Sequence, residues 1–334
     1  MKIFLTGGTG YLGGAIARAA RSRGHDVLAL VRDENRAAPL LGCGSQLCKG
    51  SLEELGDWET SLKGCDALIH TAALVQSWGH PPSTFDELNV KLPLALLERA
   101  KTAGITRRLV TSTLFTMKPS ENGEPLKEDA LLQGPKEIRE ANDYVRSKGL
   151  LAARIQEQQR AGESVNMVFP TVLMGPGALT AGNHTANILS DVGKKKFPGL
   201  VGDGNQKWNL VGVDDAARGH LDVLERGKSG DNYILGGENW TQRKLVEEAA
   251  RRFDVKAPTR ALGTLLPNIV AVLSESLSRL TGKAPMLTRG EVRLYNQHWS
   301  FDSTKAIRDL GYEPTAMDTV LDETVRWIRE RVWR

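Results

Sequence analysis

Residues 2–14 read KIFLTGGTGYLGG, a short apolar run followed by a turn crowded with glycine. Ile3, Phe4 and Leu5 form the continuous apolar stretch that a strand buried on both faces requires. The glycines let the backbone turn tightly and approach a ligand, and AIARAARSRG from Ala15 then has the pattern of an amphipathic helix beginning near Gly10 or Tyr11. Free N–H groups at such a helix start attract a pyrophosphate, so strand, glycine turn and helix together predict a dinucleotide site. Gly8, Gly10 and Gly13 meet the Gly-x-Gly-x-x-Gly pattern literally. A merely structural turn is the alternative reading, and the order of the elements favours the ligand site.

Strand and helix patterns keep alternating outward from this point, through DVLALV at Asp26, ALIHTAA at Ala67, a helix over Leu94 to Ala103, and RLVTSTL at Arg108. Repeated strand–helix units predict an α/β chain, with a Rossmann-type doubly wound parallel sheet and a smaller, mainly helical C-terminal substrate lobe. Gly24 and Gly104 are expected to close helices, and Pro93 to fall in a first turn. Lys118 to Asn142 is polar and proline-rich, and reads as a surface excursion and candidate mobile lid. Beyond it come the strand VNMVFP, a loop TVLMGPGALTAGNH, a strand and helix in NLVGVDDAARGHLDVLERG, the strand YILGG, and a helix capped by Thr241. The expected division is residues 1–172 for the dinucleotide-binding unit, with 208–236 returning to it, and 173–207 with 237–334 for the substrate lobe.

Lys and Arg number 44 against 40 Asp and Glu, a net charge of +4 spread along the chain, which argues against a nucleic-acid partner and suits an anionic cofactor. Cys43, Cys48 and Cys65 are too few and wrongly spaced for a disulfide framework or zinc site, and point to a reducing, cytoplasmic setting with no metal. No cationic, apolar leader precedes the first strand. LLPNIVAVLSESLSRL from Leu265 is broken by Pro267, Glu275 and Arg279 and falls short of a membrane span.

Tyr144 and Lys148 stand four apart in YVRSK, inside a helical pattern, and so share a face. A phenol with a reference pKa near 10 needs a neighbouring cation to exchange protons around neutrality, and Lys148 is placed to supply it. Thr113 lies at the C-terminal end of RLVTST, where doubly wound sheets place their ligand crevice, and strand alternation puts Thr111 and Thr113 on a face that Ser112 does not share.

These features resemble the extended short-chain dehydrogenase/reductase family of the NAD-dependent epimerase/dehydratase superfamily. Gly7, Gly10 and Gly13 carry its glycine spacing, HTAA at His70 its fourth-strand motif and YVRSK its Tyr-x-x-x-Lys, with further similarity through FPTVLMGPG, VGVDDAARGHL, YILGGENWT and FDSTKAIRDLGYEP. AALVQSWGHPP, GPGALTAGN, RLTGKAPML and NQHWSFDSTKA look like its dihydroflavonol-reductase-like branch, particularly farnesol-dehydrogenase-like proteins. The resemblance implies Tyr144 as general acid/base, Lys148 as the group that lowers its pKa and holds the nicotinamide ribose, and Thr113 as the residue orienting the reacting oxygen. It implies cofactor contacts at Gly7, Gly10, Tyr11, Leu12, Gly13, Ala72, Tyr144, Lys148 and Pro170, a supporting role for Asn89, and a homodimer paired through helices at Leu94 and Tyr144.

Some positions depart from the family pattern. Gly50-Ser51-Leu52 replaces Gly-Asp-Leu, whose acid contacts adenine, Leu92 and Pro93 replace Gly-Thr, and Gly212 replaces a frequent histidine. At the end of the second strand, Val31 stands where an acid would bond the ribose of NAD and Arg32 follows, which favours NADP(H), with NAD(H) kept open by Asp33 and by relatives that use it. The expected reaction is hydride transfer between this cofactor and the alcohol or carbonyl of a mainly apolar small molecule, such as a terpenoid or flavanonol. Trp78, Phe115, Met117, Met174 and Trp299 are candidates for its apolar wall. The alternative on the same fold is a nucleotide-sugar epimerase; dehydration is disfavoured because Leu114 and Phe115 occupy the positions of an Asp-Glu pair. A dinucleotide-sensing protein without catalysis is disfavoured because both Tyr144 and Lys148 are present.

Overall fold

The computed structural model describes residues 1–54, 56–75, 78–131, 142–180 and 182–333. Seven strands form a wholly parallel sheet: β1 (Lys2–Thr6), β2 (Asp26–Val31), β3 (Gln46–Lys49), β4 (Ala67–His70), β5 (Arg107–Thr111), β6 (Val165–Pro170) and, after two strands of a second sheet, β9 (Asn232–Leu235). Their order is β3-β2-β1-β4-β5-β6-β9. The longer helices are α1 (Tyr11–Ser22), α2 (Leu92–Thr102), α3 (Asp143–Arg160), α4 (His184–Gly193), α5 (Val213–Arg226), α6 (Gln242–Phe253), α7 (Leu265–Thr281), α8 (Arg289–Tyr295), α9 (Thr304–Leu310) and α10 (Met317–Trp327).

Side-chain alternation along the strands assigns the helices to two faces. Ile3 and Leu5 pack with Ala17 of α1 and Leu221 of α5. Phe4 turns the other way, to Leu97 of α2 and Ile155 of α3. Because β1 has β2 on one side and β4 on the other, the connections leave in opposite directions, and a crevice opens above the C-terminal ends of β1 and β4.

The C-terminal lobe is helical, as expected, and also holds a three-stranded sheet. β7 (Val172–Met174) runs parallel to β8 (Lys207–Gly212), which pairs antiparallel with β10 (Glu238–Thr241). Residues 208–236 therefore divide, contrary to the expected boundary: β8 joins the small sheet, while α5 and β9 belong to the large one. The reason is packing, since Leu210 of β8 is buried against Met174, Trp240 and Leu321 in a core of its own.

Two further expectations are corrected. The helix placed at Leu94 is α2, with Pro93 in its first turn as expected, but α2 continues directly from a helix that starts at Pro82 and so has no free N-terminus. A proline there cannot bond the carbonyl four residues back and its ring crowds it; the helix answers with a π turn over Glu87–Lys91, where the Leu92 N–H reaches Glu87 O. The excursion from Lys118 is tied down over its described part rather than lid-like. Ser120 N–H donates to His298 O at 2.9 Å and Leu126 N–H to Ser300 O at 3.0 Å, stitching it to the C-terminal lobe. Residues 132–141 of that excursion lie outside the described residues.

Gly13 shows how tightly the first turn is packed, for a β-carbon there would lie 2.1 Å from the Gly7 carbonyl oxygen. Backbone cannot step aside as a side chain can. Gly13→Ala is expected to lower the unfolding free energy by about 3 kcal/mol or more in urea titration; a variant as stable as the parent would contradict this packing.

Candidate active site

The crevice begins where β1 ends. Gly7 has φ +78°, and a β-carbon on it would come within 2.6 Å of the Ala72 backbone nitrogen, so the glycine turn lies directly against the chain leaving β4. Gly10 N–H closes the turn on Gly7 O at 2.9 Å, and α1 starts at Tyr11. No side chain caps α1 and its first turn has no acid, which leaves the helix N-terminus and its positive dipole end open to an anion. Two buried polar atoms near the C-terminal ends of β4 and β6 lack partners among the described residues: His70 Nε2, and Thr171 Oγ1 next to Pro170. This donor set fits a dinucleotide: the α1 N-terminus would hold its phosphates, and His70 and Thr171 offer polar atoms left without partners in the fold.

Tyr11 is buried, and its hydroxyl donates to Gly175 O at 2.8 Å, with Gly177 close against the ring. Burial raises its phenol above the ordinary range. Its side chain thus ties the loop after β7 to the glycine turn; Leu12 packs on the core. Arg32 projects from the end of β2 with its side chain 73% exposed, and its ion pair with Glu53 is long at 4.0 Å. The Asp33 carboxylate is engaged, accepting from Asn35 N–H at 3.0 Å. Ser51, at the adenine-contact position, donates to Glu53 and accepts from the Glu53 N–H.

The proton-transfer candidates converge from α3 and the end of β5. Asn142 caps α3 by accepting from Val145 N–H at 2.8 Å, which places Tyr144 in the first turn. Burial pushes the Tyr144 phenol up to about 12, and the neighbouring Thr113 hydroxyl pulls the other way. One turn on, buried Lys148 donates through Nζ to Thr111 O at 2.7 Å. Its pKa is brought down to about 8 by desolvation. His70 is held down to about 3 by burial first and the Lys148 charge second; it is a neutral imidazole whose Nδ1 is 2.8 Å from Thr6 Oγ1.

The hydroxyls at the strand end do not follow the expected alternation. Thr111 turns to His220 Nε2 of α5 at 3.0 Å, while Thr113, past the end of β5, turns to Tyr144. His220 Nδ1 lies 2.7 Å from Ala216 O, so that nitrogen carries the proton and Nε2 accepts from Thr111. The π turn places Asn89 between two elements: its amide accepts from and donates to the Leu74 backbone, at 2.7 and 3.0 Å, and donates to Ser147 Oγ of α3 at 3.0 Å.

An aromatic row leads from this centre into the second lobe. Phe115 meets Trp299 edge-on at 5.0 Å, Trp299 pairs with Trp208 through a backbone β-bridge, Trp208 stacks on Tyr295 at 5.3 Å, and the Tyr295 hydroxyl is 2.5 Å from His184 Nε2. Trp208, Tyr295 and His184 carried no signal in the sequence, since residues so far apart in the chain have no pattern in common. Of the expected apolar wall, Phe115 is half-buried in the row and Trp78 is half-buried elsewhere. Met117, Met174 and Trp299 are corrected to core residues, 1%, 0% and 3% exposed, the first and last sharing one core and Met174 lying in another with Leu210. Leu114 is buried too, so no acid–base pair follows Thr113.

The model of the NAD dependent epimerase/dehydratase family matches residues 3–236. The chain belongs to this family and is an extended short-chain dehydrogenase/reductase, of the same broad kind as two curated relatives. One is a putative dihydroflavonol 4-reductase of Synechocystis sp., 28% identical over 98% of this chain and 94% of that one. Another is sterol demethylase protein B of Methylococcus capsulatus, 26% identical over 99% of both chains. Among solved structures, gox2253 superposes with a TM-score of 0.80 at 29% identity, covering 98% of each chain.

The buried lysine has a consequence for stability. Its pKa, about 8 in the fold against 10.5 in the open chain, means the unfolded state binds more protons between those values, so burial costs stability below pH 8 and the cost fades as pH rises toward 10.5. Lys148→Met should gain on the parent at pH 7 by up to about 3 kcal/mol, and the gap should narrow by pH 9.5 in urea titrations. A gap that widens with pH would contradict the assignment.

Proposed function

We propose that the protein is an NAD(P)-dependent oxidoreductase that moves a hydride between a nicotinamide cofactor and the alcohol or carbonyl carbon of a mainly apolar small molecule. The observation that carries this reading is Thr113 beside Tyr144, with Lys148 one helical turn on and held at the end of β5, at the same edge of the parallel sheet as the open α1 N-terminus, and with Leu114 and Phe115 in place of acids. The nicotinamide, when bound, supplies or accepts the hydride. Thr113 holds the reacting oxygen, and Tyr144, which keeps its proton at neutral pH, donates it to the oxygen of a carbonyl undergoing reduction. In oxidation Tyr144 takes that proton back, and Lys148 on the same helical face provides the charge that stabilises the phenolate.

The substrate class follows from the aromatic row. Phe115 and Trp208, both half-buried, offer apolar and π surface rather than the charged groups a sugar nucleotide diphosphate would want, which favours a flat or isoprenoid-like carbonyl over epimerisation. The names of the two curated relatives, a dihydroflavonol reductase and a sterol-processing protein, agree with that class. For the cofactor, Arg32 is exposed and loosely paired while Asp33 is occupied by the Asn35 cap, an arrangement that suits the 2′-phosphate of NADP(H).

Tyr144→Phe is expected to abolish hydride transfer in an NADPH oxidation screen of terpenoid aldehydes, flavanonols and steroid ketones, while dinucleotide binding by fluorescence stays nearly unchanged. Retained turnover would sink the mechanism. Arg32→Ala should weaken NADPH by about 1 to 3 kcal/mol and NADH far less; equal losses would remove Arg32 from cofactor choice.

A further inference from the structure

Helix α7 is built inside out. The residues it turns toward the protein are small: Pro267, Ala271 and Ser278 are buried and Ser274 half-buried. Its large apolar side chains face solvent, with Leu265 75%, Leu273 65%, Leu277 61% and Leu280 85% exposed, and Ile269 and Val272 close to half. At about 100° per residue these six and the half-exposed Leu266 fall within an arc of roughly 140°, a stripe along the helix that Ser276 alone interrupts. A helix that served only the core would show the opposite arrangement, and a contiguous exposed apolar stripe marks a surface that meets something.

The charges around the stripe indicate what it meets. Glu275, the carboxylate of this helix, is turned away and held by Arg289, which donates to it from its backbone N–H at 2.8 Å and its Nε at 3.0 Å. Ser274 Oγ accepts from Met286 N–H at 2.8 Å, so the returning segment lies on the inward side and leaves the stripe uncovered. At the C-terminal end Arg279 and Lys283 are both exposed and have no carboxylate partner among the described residues. An apolar stripe with a cationic border and no free acid complements an anionic lipid surface. A second copy of the chain is a poorer match. The stripe of a 17-residue helix is about 25 Å long and about 10 Å wide, on the order of 250 Å², well short of the roughly 800 Å² per partner of a stable dimer.

We propose that α7 docks in the plane of an anionic bilayer surface, burying Leu265, Ile269, Val272, Leu273, Leu277 and Leu280 among the acyl chains while Arg279 and Lys283 meet the headgroups. This is a contact on the membrane and not a span; no helix among the described residues is long and apolar enough to cross one. α7 packs on α8, whose Tyr295 belongs to the aromatic row, so docking sets the second lobe against the lipid. The docking does not depend on the proposed reaction.

The test is flotation of the full-length protein with phosphatidylcholine vesicles, with and without phosphatidylglycerol. The wild type is expected to float with the anionic vesicles, weakly with the neutral ones, and less as salt is raised. Leu273→Glu combined with Leu277→Glu should cut binding at least about tenfold with an unchanged urea midpoint, and Arg279→Glu combined with Lys283→Glu should weaken binding to anionic vesicles alone. The proposal is overturned if the wild type binds neither vesicle, if the leucine variant binds as the wild type does, or if light scattering shows a wild-type dimer that the leucine variant turns into monomer.

Discussion

Three backbone segments meet at Gly7 with no room for a β-carbon, and the rest of the site depends on that approach. Gly13 closes on the Gly7 carbonyl from α1, and Ala72 closes on Gly7 from the chain leaving β4. The contact sets where α1 begins, leaves its N–H groups open, and brings the ends of β1 and β4 to the crevice. His70, paired in register with Thr6, is carried to the same place. What lies above the sheet is therefore positioned by backbone geometry before any side-chain chemistry is considered.

Beneath the crevice lies a run of buried polar groups whose charged forms are each disfavoured by burial. Lys148 sits in a low-dielectric setting where its ammonium is costly, which is why it is held on the Thr111 carbonyl and why its pKa falls. Burial first, and the Lys148 charge second, keep His70 neutral. His220, also buried and shifted down to about 4, completes the run by accepting from the Thr111 hydroxyl. Without a ligand Tyr144 keeps its proton at neutral pH because burial raises its phenol, and a nicotinamide cation, when bound, would supply additional charge to bring the phenol into range. The chemistry we assign is thus conditional on the ligand that the glycine turn is shaped to hold.

Much of this was legible in the sequence because the decisive signals are local. A strand followed by a glycine turn, or Tyr144 and Lys148 one helical turn apart, is dictated by covalent geometry and short-range periodicity. What was not legible depends on tertiary partners. Pro93 reads as a helix start, yet the helix runs through it by widening into a π turn, and that widening aims Asn89 at Leu74 and Ser147. Met117 and Met174 have the composition of a pocket wall and lie in cores. Trp208, Tyr295 and His184 meet only because β8, α4 and α8 fold together, and the polar stretch from Lys118 is pinned by strand-like bridges to residues near the C-terminus.

The central claim is that the cofactor site and Lys148 jointly bring Tyr144 to a working pKa. The most direct measurement is the titration of the Tyr144 phenol by carbon NMR of tyrosine-labelled protein, with and without saturating oxidised dinucleotide, in the parent and in Lys148→Met. We expect a phenol near 12 in the free protein, a marked fall toward neutrality with the dinucleotide bound, and a much smaller fall in the variant. A phenol that stays where it is when the dinucleotide binds, or one that falls equally without Lys148, would contradict the account.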